Sequence, residues 1–311
     1  MDEQINPVVR FIAEMSKQIF ERNIRGQIDY ENDLKAFQKY RDMAHQANAP
    51  RQEARIVNLM AVMNSISGHL SLAEEQFTLA FVLNQELGDK FGVVTALNNK
   101  AFFLTSLGRY EEATDLYLQG IAICESSPDE TLRAYLLVLS GYLAICYMRE
   151  EYDQMPAYFE KIQAIQDDYL TKHRKHTSNY ATVMTEVYRS MAEYYLYRKD
   201  YNQAKSMIGT GLEFAKELSL TFELADLHHT QAHIALAVGD IDSANTHWAK
   251  AIEILEDVPA KSNVGRNYNQ EARYLDKRGY GDYGQRFAKY AYDIFESLQM
   301  KEDAKLAEVL L

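Results

Sequence analysis

Residues 87–113 read LGDKFGVVTALNNKAFFLTSLGRYEEA. Within them Val94, Leu97, Ala101 and Leu104 recur at intervals of three and four, the stripe of an amphipathic helix and not the alternation of a strand. Leu107-Gly108-Arg109-Tyr110 interrupts the stripe, and glycine tolerates the left-handed conformation that ends a helix tightly. Glu111 and Glu112 follow, where negative charge suits a helix start. Ala113, Leu116, Tyr117, Gly120 and Ile121 then form the inward face of a second helix. Small residues at 101, 113 and 120 let the two antiparallel helices approach closely, with Tyr117 filling the space beside them. Such a hairpin cannot bury its apolar face alone and must stack on copies of itself.

The copies are present. Ala61 precedes Gly68 by seven residues, as Ala101 precedes Gly108, Ala232 precedes Gly239 and Ala272 precedes Gly279. Ala192 stands in the same relation to Lys199, and a degenerate copy around Ala144 and Tyr152 fills the gap. The steps between turns are 40, 42, 49, 40 and 40 residues. Second helices repeat a small–large–small pattern in Ala73/Phe77/Ala80, Ala113/Tyr117/Gly120, Ala204/Ile208/Gly211 and Ala244/Trp248/Ala251, more weakly in Gly284/Ala288/Ala291. The third copy substitutes Met155, Phe159 and Ile162, with Pro156 near a helix start, where proline is tolerated.

This pattern resembles the tetratricopeptide repeat over residues 51–298, in the longer-repeat form found in bacterial regulators and in the sensor arms of signalling ATPases. The resemblance implies an all-α fold, a right-handed α-solenoid of five or six stacked antiparallel helix hairpins. Residues 1–50 read as a helical cap or degenerate repeat, with Val8, Val9, Ile12, Met15 and Ile19 on one face, and 299–311 as a capping helix. No Gly-x4-Gly-Lys-Ser/Thr loop occurs, so the ATPase part of such proteins is absent from this sequence.

Composition narrows the function. A formal charge of −12 argues against nucleic acid as partner. The stretch 51–258 carries seventeen Lys/Arg against twenty-nine acids, the whole of the excess. A basic partner and a merely soluble surface both account for it. Cys124 and Cys146 lack metal or redox spacing and read as core residues of a reducing compartment. Acids near the N-terminus, and no apolar run of spanning length, set the expectation of a cytoplasmic chain without a membrane partner. The basic run Lys172, His173, Arg174, Lys175 and His176 suits a solvated helix end or a contact for an acidic partner or second subunit, so a homo-oligomer stays open.

In tetratricopeptide arrays the first helix of each hairpin lines a concave groove. By resemblance its side chains lie three, six, ten and thirteen residues before each turn. Among the residues this selects, Asn58, Asn98, Phe102, Arg189, Glu193, His229, His233, Arg266, Asn269 and Arg273 are the candidate contacts for a protein or peptide partner. The asparagine amides can hold an extended backbone. Arg266 and Arg273 suit a carboxylate or phosphate, unless Asp276, Asp226 or Glu193 pairs with them. His229 and His233 with Asp226 and Glu193 form a conceivable zinc set, but no HExxH or completing pair occurs, so neither metal nor cofactor is expected. No G-x-S-x-G elbow and no Cys–His pair is present, so an enzyme is not expected either. The function expected is a non-enzymatic binding scaffold; the alternative is a regulatory sensor in which a signalling peptide or small molecule controls a partner protein.

Overall fold

The computed structural model describes residues 7–24, 29–173 and 178–311. Fifteen α-helices, and no strand among the described residues, follow one another through short turns. An N-terminal pair, α1 (Pro7–Ile24) and α2 (Tyr30–Gln46), precedes six hairpins. These are α3 (Pro50–Ile66) with α4 (Leu70–Glu86), α5 (Lys90–Ser106) with α6 (Tyr110–Ser126), and α7 (Pro128–Arg149) with α8 (Met155–His173). Then come α9 (Ser178–Tyr197) with α10 (Tyr201–Glu217), α11 (Thr221–Ala237) with α12 (Ile241–Glu256), and α13 (Lys261–Lys277) with α14 (Gly281–Ser297). A short helix, α15 (Lys301–Glu308), closes the stack.

The turns explain the period. At the turn joining the helices of a hairpin one residue takes a positive φ: Gly68, Gly108, Glu150, Lys199, Gly239 and Gly279. The turns between hairpins do the same at Asn48, Gly88, Ser219 and Gln299. Each such residue lets the chain fold back so that the next amide reaches a carbonyl five residues earlier, as Arg109 N–H does to Leu104 O at 3.0 Å. The next helix then starts on a cap; Asp89, Asp200 and Asp240 accept from the amides of Gly92, Gln203 and Ser243 at 2.9–3.1 Å.

The small–large–small pattern sits at the helix contacts. Ala73, Ala80, Ala113, Ala204, Ala244 and Ala251 are fully buried, and Phe77, Tyr117, Ile208 and Trp248 fill the space between them. The largest apolar cluster is continuous from α3 to α9 and again from α11 to α15. At its centre lies α7, whose 22 residues and mean hydropathy of 1.4 pass the length and composition test for a membrane-crossing helix, contrary to the sequence expectation. Two-thirds of that stretch is buried in the protein, packed against α5, α6, α8 and α9, so its apolarity belongs to the core. Cys124 and Cys146 are free thiols fully buried in the same cluster. The basic run at 172–176 has no described side chains.

Helix α7 carries one glycine, Gly141, whose added Cβ would collide with the Tyr117 ring and hydroxyl. Alanine normally favours a helix over glycine by roughly 1 kcal/mol. Here Tyr117 is fully buried and cannot retreat, so Gly141→Ala is expected to destabilise by about 1–3 kcal/mol, the cost of overpacking. Urea denaturation of the two proteins checks the sign.

Candidate functional site

The first helices of the hairpins line the inside of the solenoid, and between its two halves they enclose a cavity of about 350 Å3. One wall is apolar. Leu59, Val62 and Ile66 of α3 and Phe102 and Phe103 of α5 form it, backed by Phe37 and Phe77. Phe102 is 64% exposed, an aromatic ring left open to this space instead of buried. The opposite wall is polar, with Glu223 and Asp226 from α11 and Asn263, Arg266, Asn267 and Gln270 from α13.

The charges of the polar wall are unequally committed. Arg266 donates through Nε to Asp303 Oδ1 of α15 at 3.0 Å, so its cation is already matched. Asp226 Oδ1 accepts from Asn267 Nδ2 at 2.7 Å and lies 4.0 Å from Arg189. Glu223 keeps Oε2 buried without a hydrogen-bond partner. Burial, with Asp226 and Glu186 nearby, pushes its carboxyl up to about 7.

Beside the cavity the concave surface is filled by a polar network. His233 of α11 lies between two carboxylates, Nδ1 donating to Glu193 Oε1 of α9 at 2.8 Å and Nε2 to Glu271 Oε2 of α13 at 3.0 Å. Glu193 also accepts from Tyr274 Oη at 2.6 Å, and Glu271 from Trp248 Nε1 at 2.8 Å. Tyr274 stacks on the imidazole, with ring centres 3.7 Å apart, and Arg278 covers its other face. Burial alone would depress His233, but Glu271 and Glu193 overcome it and raise its pKa to about 9. Burial opposes both carboxylates, yet His233 holds Glu193 below and Glu271 well below their usual range. Four hairpins are tied together here, since Arg278 also donates to Tyr152 Oη of the third at 2.8 Å.

The candidate contacts divide accordingly. Phe102 and Arg266 line the cavity. Arg189, Glu193, His229 and His233 belong to the network; His229 Nε2 meets Asn267 Oδ1 at 3.0 Å, and Arg189 pairs with Glu186 at 2.7 Å. Asn58 and Asn269 are buried, each with Oδ1 unpartnered, and Asn98 bonds Asn99 at 3.3 Å. The cavity takes the next residue along each helix, Leu59, Asn99 and Gln270. Only the position ten before the turn is displaced, by one residue; the positions thirteen, six and three before it line the cavity as expected, in Asp226 and Arg266, in Val62 and Phe102, and in Ser65. Arg266 and Arg273 do not converge on an anion. The first is held by Asp303, a partner the expected pairings omitted, and the second packs against the turn at Gly108.

Glu223 and Glu271 were absent from the candidates. Glu193 and His233 occupy equivalent places forty residues apart, so their contact was readable from the repeat; Glu271 has no counterpart in that pattern. Among the described residues no group of three or more His, Cys, Asp or Glu is arranged to hold a metal ion. A more open cavity of about 580 Å3 lies at the hairpin turns, lined by Tyr152, Tyr197, Tyr201, Tyr274 and Tyr280 with Arg278. It reaches His233 and Tyr274 of the polar network, and its guanidinium already bonds Tyr147 O and Tyr152 Oη at 2.9 and 2.8 Å.

Against known proteins, a tetratricopeptide-repeat family model matches residues 93–127, the hairpin of α5 and α6. No curated protein matches the chain. Among solved structures, a Rap protein complexed with competence and sporulation factor is 13% identical with a TM-score of 0.65, over 97% of this chain and 76% of that one. The apo form of RapI is 12% identical with a TM-score of 0.65, over 94% and 98%. A signal-transduction ATPase from Pyrococcus horikoshii with a tetratricopeptide-repeat sensor is 12% identical with a TM-score of 0.53, over 98% and 43%. At these identities the likeness is one of fold: a right-handed tetratricopeptide-type solenoid.

Proposed function

We propose that this tetratricopeptide-repeat solenoid is a non-enzymatic binding module of the cytoplasm whose central cavity takes a short peptide. The observation that carries the reading is the pairing, across one cavity, of an open aromatic wall with a carboxylate, Glu223, whose Oε2 has no hydrogen-bond partner. A ligand that places an apolar side chain against Phe102 and an ammonium or guanidinium group at Glu223 satisfies both. The surrounding amides of Asn99, Asn263 and Gln270 suit its backbone. Rigid stacked repeats bind without losing much conformational entropy of their own. The Rap protein complexed with competence and sporulation factor shares this fold, which supports a ligand-binding reading.

A sensor role is favoured over a passive scaffold by one feature. The two walls come from hairpins far apart in sequence, so an occupant bridging them bears on the curvature of the whole solenoid.

The test is a thermal-shift screen of short peptides against the wild type, Phe102→Asp and Glu223→Gln. A saturable ligand stabilises only the state it binds. Phe102 is exposed, so its substitution spares the core while removing the apolar contact. A peptide that shifts the wild type and loses at least tenfold in affinity in either variant, about 1.4 kcal/mol, is the expected result. Binding should strengthen as pH rises through about 7, where Glu223 ionises, and Glu223→Gln should flatten that dependence. Equal shifts in all three proteins would move the site out of the cavity.

A further inference from the structure

Three successive hairpin turns of the N-terminal half each receive a side chain from the C-terminal end of the chain. The first is Gly68, where Met300 packs so closely that an added Cβ would lie 2.9 Å from its Cγ and Cε. The second is Gly108, where an added Cβ would collide with the guanidinium of Arg273. The third is the end of α7, where Lys277 Nζ donates to Met148 O at 2.8 Å and Arg278 Nη2 to Tyr147 O at 2.9 Å. The last two contacts join residues 129 and 131 apart. By contrast, a Cβ at Gly239 or Gly279 would meet nothing within 4 Å, although both have a positive φ of about +80° like Gly68 and Gly108. Conformation alone explains glycine at 239 and 279. At 68 and 108 the absence of a side chain also makes room for another hairpin.

The chemistry of these contacts is that of helix capping carried out at a distance. Met148 and Tyr147 are among the last four residues of α7, where carbonyls lack the regular intrahelical partner; Tyr147 O keeps one bond, from Glu150 N–H at 3.3 Å, and Met148 O is met by Lys277. Cations there complete the hydrogen bonding and oppose the negative end of the helix dipole. Arg273 stands at the corresponding end of α5. The three cations lie on one stretch of α13 and its C-cap, and they reach two helix ends of the opposite half.

We infer that the α13–α14 hairpin is a clasp: Lys277 and Arg278, bonding the last carbonyls of α7, and Arg273, packed against the Gly108 turn after α5, hold the solenoid closed around its central cavity. Opening occurs by releasing these side chains, with every hairpin left folded. The repeats themselves are stacked through apolar cores, and Met300 on Gly68 belongs to that apolar packing, whereas Arg273, Lys277 and Arg278 make polar contacts; Lys277 is exposed and Arg273 half-buried. The clasp is therefore the joint that salt weakens while the stacking persists.

The test uses the full chain without any ligand. Arg273→Met/Lys277→Met leaves Arg278 in its network, and Lys289→Met, an exposed cation of α14, is the control. Small-angle scattering of the double variant should show a larger radius of gyration with unchanged helical circular dichroism. Amides at 105–109 and 147–151 should exchange with deuterium about tenfold faster, the combined effect of removing two capping cations worth roughly a factor of two to five each. A second pair separates clasp release from turn strain. Asn tolerates a positive φ, so Gly108→Asn, which displaces Arg273, should open the solenoid whereas Gly239→Asn should not. The wild type should also expand on going from low to high salt. If scattering from the double variant and from Gly108→Asn superimposes on that of the wild type, or if the wild type is indifferent to salt, the clasp does not exist.

Discussion

Glu271→Ala should cost about 3–5 kcal/mol of stability, the range for breaking a buried charge pair by removing one partner. Glu271 is 5% exposed and takes hydrogen bonds from His233 and from the indole of Trp248. It also lies 3.5 Å from His229 Nδ1. Its removal leaves Trp248 Nε1, fully buried, without an acceptor, and it halves the negative charge that compensates His233. Glu271→Gln keeps an acceptor for the indole while losing the charge, so its cost should be smaller, about 1–3 kcal/mol. Denaturant unfolding, with hydrogen exchange of α11 and α13, checks the order: Ala worst, Gln intermediate. Because stacked repeats need not unfold all together, the exchange data should place the loss in hairpins four to six. Equal and small effects of both substitutions would mean that the carboxylate is a bystander.

The second large effect is on pH dependence. The pKa of His233, raised to about 9 from 6.5, makes the folded state bind a proton that the unfolded state has released. Its contribution is complete below about 6.5 and disappears as pH rises through about 9. Between pH 7 and 9 the wild type should therefore lose about 2 kcal/mol. Glu223, with its carboxyl raised to about 7, favours the folded state only at lower pH, and its loss is largely over before this window. Glu193 and Glu271, both lowered, act at the acid end: their contribution is present above the ordinary carboxylate range and lost as pH falls below it. His233→Gln should remove most of the slope between pH 7 and 9. A slope that persists in that variant would assign the dependence to other groups.

The architecture was legible because it repeats. A seven-residue gap from small residue to turn, recurring every forty, placed the hairpins. Even where glycine is replaced, the turn residues Glu150 and Lys199 keep the positive φ that the spacing demanded. The third copy was readable despite its altered pattern, since Pro156 falls in the first turn of α8, where it breaks nothing. The site was legible only in part. Phe102 and Arg266 were reached through the repeat, but the asparagines were placed one residue out of register with the cavity. Contacts between the two halves were out of reach altogether. Met148 on Lys277, and Tyr147 on Arg278, depend on how far the solenoid winds, which is the sum of small angles at every hairpin and not a property of any one of them.

The central claim is that the cavity between the two halves is where a ligand sits. A structure of the protein with the peptide that stabilises it most would test this directly. The account predicts density between α3 and α5 on one side and α11 and α13 on the other, with an apolar side chain on Phe102 and a cationic group within hydrogen-bond reach of Glu223. Density on the outer faces of the second helices, or in the tyrosine-lined cavity at the turns, with the central cavity empty, would contradict it.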